Sequence, residues 1–335
     1  SGNLVLSWDP SVVQIYASPT GGTALAQYSV PFAEFNSTNL YVEGIAPGIN
    51  TLSWSYSEQT NCTDNILVTA LRVGIDVQKT LLTLKHDREC NLEVKTPPVD
   101  IPLGTYRIDI KRTNNATWYV LSTNKALLPW YANIAGSFHV RGMAIISGIE
   151  CYSSNVSVIN QFPDYSQIES DSSVRSATDA EWANTLSDCT ESPNQRRERG
   201  FWIFINTTSG TYNNGAILTG DWASPTNEAG VILPARPSDN PASPLPNATG
   251  AIYSVASFHA HTPTTYRTNY YPPSATRDVG PSPGDNTADT SDDVPGIVYD
   301  YIESPTGSGS IPVGHPENSA AQRYLSLGKN RRTTP

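Results

Sequence analysis

Two histidines one residue apart, His259 and His261, followed by Ser282 and Asp285, are residue types that together can hold a metal ion. They stand in the runs Phe258-His-Ala-His-Thr-Pro263 and Gly280-Pro-Ser-Pro-Gly-Asp285, and one outlying carboxylate, Glu198, is grouped with them. Neutral imidazole is a common zinc ligand. With Asp285 as a third protein ligand, the fourth coordination position stays open for water, the pattern of a catalytic rather than a structural zinc. Zinc is therefore the expected cofactor, with His259, His261 and Asp285 as its ligands. Each piece has a plainer reading. A lone histidine is commonly a hydrogen-bonded surface or core residue, and Ser282 with Gly284 alone would be turn chemistry. Only five histidines occur in the chain, so the combination carries more weight than its parts.

The run leading into the histidines, Ala251-Ile-Tyr-Ser-Val-Ala-Ser-Phe258, is rich in β-forming residues and is expected to be a strand that continues through them. Side chains two apart on a strand share a face, so His259 and His261 can aim at one ion while Ala260 packs on the other side. A second strand is expected at Gly200-Phe-Trp-Ile-Phe-Ile205, with Glu198 at its mouth, and a third over Val294 to Tyr301. Thr178 to Cys189 reads as a helix, with Thr178 as N-cap and Trp182, Leu186 and Cys189 on the face toward the sheet. Gly220 to Gly250 is expected to be a long surface loop or lid.

The chain of 335 residues is long enough for two or three domains, and its abundance of Val, Ile, Thr, Tyr and Ser with 26 Pro and 23 Gly points to a multidomain, mostly β protein. Residues 1–76 and 77–163 each show short alternating runs broken by turn signals, and are read as two immunoglobulin-like β-sandwiches. Trp8 and Trp54 belong to the packing of the first. His86-Asp87 is a polar turn at the end of a strand in the second. A polar linker over Pro163 to Ser176 leads into a third domain, 164–335, whose basic end Lys329 to Arg332 reads as a loosely structured tail.

A formal net charge of -10 disfavours nucleic acid and anionic membrane as partners, and the one basic cluster, Gln195 to Arg199, is too short to reverse that. No apolar run is long enough for a membrane-spanning helix, so no membrane insertion is expected. The Ser1-Gly2 start has no secretory signal pattern and reads as the remnant of a cut or fused chain, with a beginning in mid-protein. Four cysteines, Cys62, Cys90, Cys151 and Cys189, form no C-x-x-C and so no finger-type zinc site. They leave open a Cys90–Cys151 disulfide or buried thiols. Sequons at Asn36, Asn61, Asn115, Asn155, Asn206 and Asn247 are compatible with secretion from a eukaryote without requiring it.

The order Glu198, His259-x-His261, Ser282-x-x-Asp285 resembles the JAMM metallopeptidase motif. More closely, Glu198-Arg-Gly-Phe-Trp-Ile203, Ser257-Phe-His-Ala-His-Thr-Pro263, Gly280 to Asp285 and Asp293-Val-Pro-Gly-Ile-Val-Tyr-Asp300 look like bacterial DUF4329-type, JAB-like domains at the C-termini of large secreted or polymorphic-toxin proteins. The resemblance covers about 165 to 335 and implies an α/β JAMM-like (cytidine-deaminase-like) domain. It further implies zinc on His259, His261 and Asp285, Glu198 as general base, and Ser282 as the hydroxyl that helps stabilise the tetrahedral intermediate. These roles are physically coherent, since zinc acidifies a water, a carboxylate takes its proton, and a hydroxyl can share the oxyanion charge. Two features depart from the family pattern. Thr262 stands between His261 and the proline, and the gap to Ser282 is longer, with Tyr266, Tyr270, Tyr271, Pro272 and Pro273 in it as a lid or a plug. Glu191 and Glu228 are alternatives to Glu198.

Two functions follow as expectations. One is a zinc-dependent peptidase or isopeptidase acting on a protein or peptide substrate, at the C-terminus of a secreted or cell-surface bacterial protein, as a toxin effector with an immunity partner or within the parent protein's assembly. The other is a non-catalytic extracellular structural or assembly protein that uses the JAMM-like fold as an interaction module.

Overall fold

The computed structural model describes residues 2–19, 22–31, 39–57, 59–97, 105–146, 148–188, 197–222, 230–262, 280–301, 321–325 and 329–334. They are mostly β and group into two compact units. One comprises Ser1–Gln78, Asn91–Trp130 and His139–Ser157; the other comprises Lys79–Cys90, Tyr131–Phe138 and Val158–Pro335.

In the first unit, strand Asn3–Ser7 pairs antiparallel with Tyr28–Pro31 and with Gly48–Tyr56, which pairs in turn with Gln59–Ala70. Leu6 and Leu52 of this sheet cluster with Val13 and Ile15 of a separate antiparallel pair, Val13–Tyr16 with Tyr41–Gly44, and Trp8 and Trp54 pack against them. Trp54 meets Tyr28 edge-on, so both tryptophans serve the core. Further along, Tyr106–Arg112 pairs with Tyr119–Thr123 and Gly136–Ile146 with Ile149–Tyr152, both antiparallel. Asp109 is buried there between two arginines, with Arg107 at 2.7 Å and Arg141 at 3.1 Å. No disulfide joins Cys90 to Cys151. The Cys90 thiol, which belongs to the second unit, accepts from Lys79 N and donates to Lys79 O instead. Cys189 and the Cys62 side chain lie outside the described residues.

The second unit is built on a sheet whose central strands are Arg199–Asn206, the histidine strand Ile252–Ala260, and Gly296–Tyr301. The first pair is antiparallel and the second parallel, and Ala321–Leu325 closes the far edge antiparallel to Gly296–Tyr301. The histidine strand is buried from Tyr253 to Ala260, as a strand covered on both faces must be. On one face, Trp182 of a long helix stacks on Tyr299 with ring centroids 4.9 Å apart. On the other, Ser257 donates to Asp289 of the helix Pro283–Asp292 at 2.7 Å.

Two expectations about this unit are corrected. The stretch read as a polar linker holds α1 (Tyr165–Glu169) and the start of α2 (Ser172–Asp188), so the helix opens well before Thr178. Asp171 caps it by accepting from Ser173 N at 3.0 Å, and Thr178 lies inside the helix, fully buried. The buried face is Val174, Thr178, Glu181, Trp182 and Thr185, so polar residues carry a face that apolar periodicity cannot reveal. The basic end is likewise no loose tail. The Arg332 guanidinium is buried, pairs with both oxygens of Asp239 at 2.7 and 2.6 Å, and lies 4.5 Å from the Phe162 ring centre.

Candidate metal centre

The antiparallel register sets Gly200 opposite His259 and Arg199 opposite Ala260. Glu198 lies just before the strand Arg199–Asn206, where its backbone oxygen accepts from Gly220 N at 2.8 Å. The parallel ladder sets His259 beside Val298 and Ala260 beside Tyr299, so its next step brings Asp300 beside His261. Side-chain alternation then gives each row a face. Arg199, Ala260 and Tyr299 point toward α2, where Arg199 pairs with Asp188 at 2.7 Å and with Glu181 at 3.5 Å. Arg197 also pairs with Asp188 and stacks on Trp222, so these two cations of the basic cluster are neutralised internally. Gly200 and His259 share the opposite face, where the His261 ring meets that of His259 and the Asp300 carboxylate. A glycine at 200 is required there, because a Cβ would lie 2.6 Å from Phe258 O and 3.2 Å from His259 Cβ.

Asp285 reaches this face from α3 (Pro283–Asp292). Ser282 is the N-cap, and its hydroxyl accepts from Asp285 N at 3.2 Å while the Asp285 carboxylate accepts from Ser282 N at 2.7 Å. This reciprocal pair is a capping box, with Pro283 in the first helical turn. It fixes the carboxylate at the positive end of the helix.

The ligand atoms converge. His259 Nε2 and His261 Nε2 are 3.1 Å apart, His259 Nε2 lies 3.3 Å from Asp285 Oδ1, and His261 Nε2 lies 3.4 Å from Asp285 Oδ2. A tetrahedral zinc with ligands at ~2.0–2.1 Å has ligand–ligand edges of about 3.3 Å, and the His–His separation and each histidine's separation from its own Asp285 oxygen, Oδ1 for His259 and Oδ2 for His261, are of that size. These residues also form the one group of at least three His, Cys, Asp or Glu found close enough to share an ion among the described residues. Both histidines are buried. Burial alone would raise the Asp285 pKa, but the adjoining rings of His259 and His261, the charge of His259 and the Ser282 amide hold it well below the usual carboxylate range. The carboxylate is thus kept in the ionised form a metal ligand needs.

Asp300 ends the run Asp293-Val-Pro-Gly-Ile-Val-Tyr-Asp300 but is not among the expected site residues, yet it is fully buried with Oδ2 3.0 Å from His261 Nδ1. The same oxygen accepts from Gly280 N at 3.0 Å. Only strand period could have pointed to it, since Asp300 shares a face with Val298 on a strand parallel to the histidines.

Glu198 lies at the mouth of its strand, as expected, and its side chain is anchored by the following loop. Its Oε2 accepts from Val231 N at 3.1 Å, and its neighbour Arg199 turns away to α2. Ser282 acts as the helix cap, which leaves its hydroxyl hydrogen able to donate. His86 sits in a turn, as expected, with Nε2 2.9 Å from the Tyr212 hydroxyl, and burial followed by the charge of Lys85 lowers its pKa. Glu191, Glu228, His315 and the Tyr266 to Pro273 insertion lie outside the described residues. Of the expected 220–250 loop, the described parts form only isolated bridges, and none of the described helices is long and apolar enough to cross a membrane.

No protein family matches the chain, and no curated protein matches it. Among solved structures it is similar to a set of titin domains at 11% identity, over 47% of this chain and 59% of that one, with a TM-score of 0.19. The chain thus spans less than two thirds of the titin fragment. It is also similar to domains 4 and 5 of the S-layer protein SbsC at 15% identity, over 47% of this chain and 96% of that one, with a TM-score of 0.14. At such scores neither likeness bears on fold or function.

Proposed function

We propose that the unit containing Val158–Pro335 is a zinc-dependent, JAMM-like hydrolase that cleaves amide bonds in a protein or peptide substrate. The observation that carries the reading is the convergence of His259 Nε2, His261 Nε2 and the two Asp285 carboxylate oxygens, at separations of 3.1, 3.3 and 3.4 Å that are near the edge of a tetrahedral zinc site. Zinc bound there would supply a Lewis acid and a water acidified toward neutrality. The chain's own residues then have defined tasks. Glu198, with Oε2 held by Val231 N, presents Oε1 to accept a proton and return it to the leaving amine. Ser282, its oxygen occupied by Asp285 N, offers its hydroxyl hydrogen to a developing oxyanion. The short antiparallel strands of the rest of the chain suit immunoglobulin-like sandwiches that carry this unit on a secreted or cell-surface protein, as in a toxin effector.

Elemental analysis of wild type, His259→Ala and Asp285→Ala tests the reading. One equivalent of zinc in wild type, lost from both variants, is expected, and Glu198→Gln should keep the metal while lowering peptide hydrolysis by about 10²–10⁴-fold. Wild type that stays metal-free after incubation with zinc sinks it. A second reading, an extracellular structural or assembly module on the same fold, is favoured by the Glu198 bond to Val231 N, which draws the carboxylate toward the loop. Zinc-loaded wild type without hydrolysis of any peptide in a broad library would decide for it.

A further inference from the structure

We infer that Asp300 is the positioning residue of this centre: it fixes His261 as an Nε2 ligand and, through the same oxygen, ties the turn that carries Asp285 to the histidine strand. The inference rests on the metal-site reading. A carboxylate with no exposure needs donors, and Asp300 Oδ2 has two within 3.0 Å, the Gly280 amide and His261 Nδ1. The Gly280 amide can only donate, so this oxygen is an acceptor, and an ionised carboxylate takes a hydrogen from Nδ1 as well. A neutral ring with its hydrogen on Nδ1 keeps the Nε2 lone pair, and Nε2 is the atom that faces His259 and Asp285.

The second bond matters equally. Gly280 is buried at φ +87°, a conformation that favours glycine, and it stands two residues before the Ser282 cap. One oxygen therefore sets both the ring of the second ligand and the start of the turn bearing the third. The parallel register delivers Asp300 to this place without distortion, since it is the next residue on the row shared with His261. Such outer partners of metal-bound histidines are worth about 10–100-fold in metal affinity.

Three samples test this: wild type, Asp300→Ala and Asp300→Asn. In metal-free wild type, long-range ¹H–¹⁵N correlation of the imidazole should show His261 with its hydrogen on Nδ1. Asp300→Ala should lose that tautomer preference and bind zinc about 10–100-fold more weakly in a competition titration. Asp300→Asn keeps the shape and a carbonyl oxygen for Gly280 N, so it should retain the Nδ1–H tautomer and recover most of the affinity. An Nε2–H tautomer in wild type, Asp300→Ala with unchanged affinity, or Asp300→Asn no better than Asp300→Ala each overturns the inference. Where Asp300→Ala does not fold, the wild-type tautomer and the isosteric variant decide. Wild type that takes up no zinc overturns the metal reading instead, while its His261 tautomer still reports on Asp300.

Discussion

At the scale of single residues, the centre depends as much on what is missing at position 200 as on what is present at 259 and 261. Gly200 faces His259 across the ladder, and a methyl group there would press on Phe258 O, a backbone atom that cannot rotate away, and on His259 Cβ. Gly200→Ala should therefore displace the histidine strand. Overpacking of this kind costs about 1–3 kcal/mol, and zinc affinity should fall with it, because a ligand atom moves while its chemistry is unchanged. Urea unfolding read beside a zinc titration checks both, and an alanine variant equal to wild type in each would show that the strands part without consequence. Residue spacing made His259, His261 and Asp285 legible in advance, since H-x-H on a strand and S-x-x-D at a helix start are local patterns. Asp300 was not legible, because one acidic residue in an apolar strand becomes meaningful only when a parallel neighbour, distant in sequence, supplies the histidine beside it.

At the scale of elements, the same contrast separates what was readable from what was not. The three central strands could be read from runs of Val, Ile, Phe and Tyr. The first turns of α2 could not, because in Ser172–Ala177 Val174 is the one buried residue and the rest is exposed or half-buried Ser, Arg and Ala with no apolar period. The C-terminal segment reads as a loose tail for a related reason: Arg332 is buried only because Asp239, Ser254 O and the Phe162 ring await it. Arg332→Ala leaves Asp239 buried with Arg236, at 3.8 Å, as its remaining cation, and should cost about 3 kcal/mol in urea unfolding, part of it recovered by adding Asp239→Ala. A loss within ~0.5 kcal/mol would mean that the segment lies on the surface without supporting it. Acid should find the same region. Burial alone would raise the Asp293 pKa, but hydrogen bonds from Thr334 and Thr333 lower it to about 2; burial works likewise against the bonds from Ser173 and Lys85 that bring Asp171 to about 2. A folded pKa below the unfolded value contributes stability that is full above about pH 4 and lost as pH falls toward 2, by about 1 kcal/mol for each group after solvent screening. Thermal melts between pH 5 and pH 2 should show that loss, and Asp293→Asn should flatten it.

At the scale of the whole molecule, the chain's two compact units should respond differently to the metal, because every ligand and supporting residue belongs to the unit containing Val158–Pro335. A ligand that binds only the folded form stabilises it by RT ln(1 + [L]/Kd), about 2.7 kcal/mol at a free concentration of 100 Kd. That increment should appear where the site is. With zinc, amide exchange in Ile252–Ala260 and Gly296–Tyr301 should slow by up to about 100-fold, the equivalent of that free energy, for amides that exchange only when this unit opens. Amides of Gly48–Tyr56 in the other unit should keep their rates. Mass-resolved hydrogen exchange on fragments of the two units measures both in one experiment. Slowing confined to the histidine unit, and abolished by His259→Ala, would locate binding at the centre. Equal slowing in both units would point to nonspecific association with a chain of net charge -10, and no slowing would mean that the converging side chains do not hold zinc.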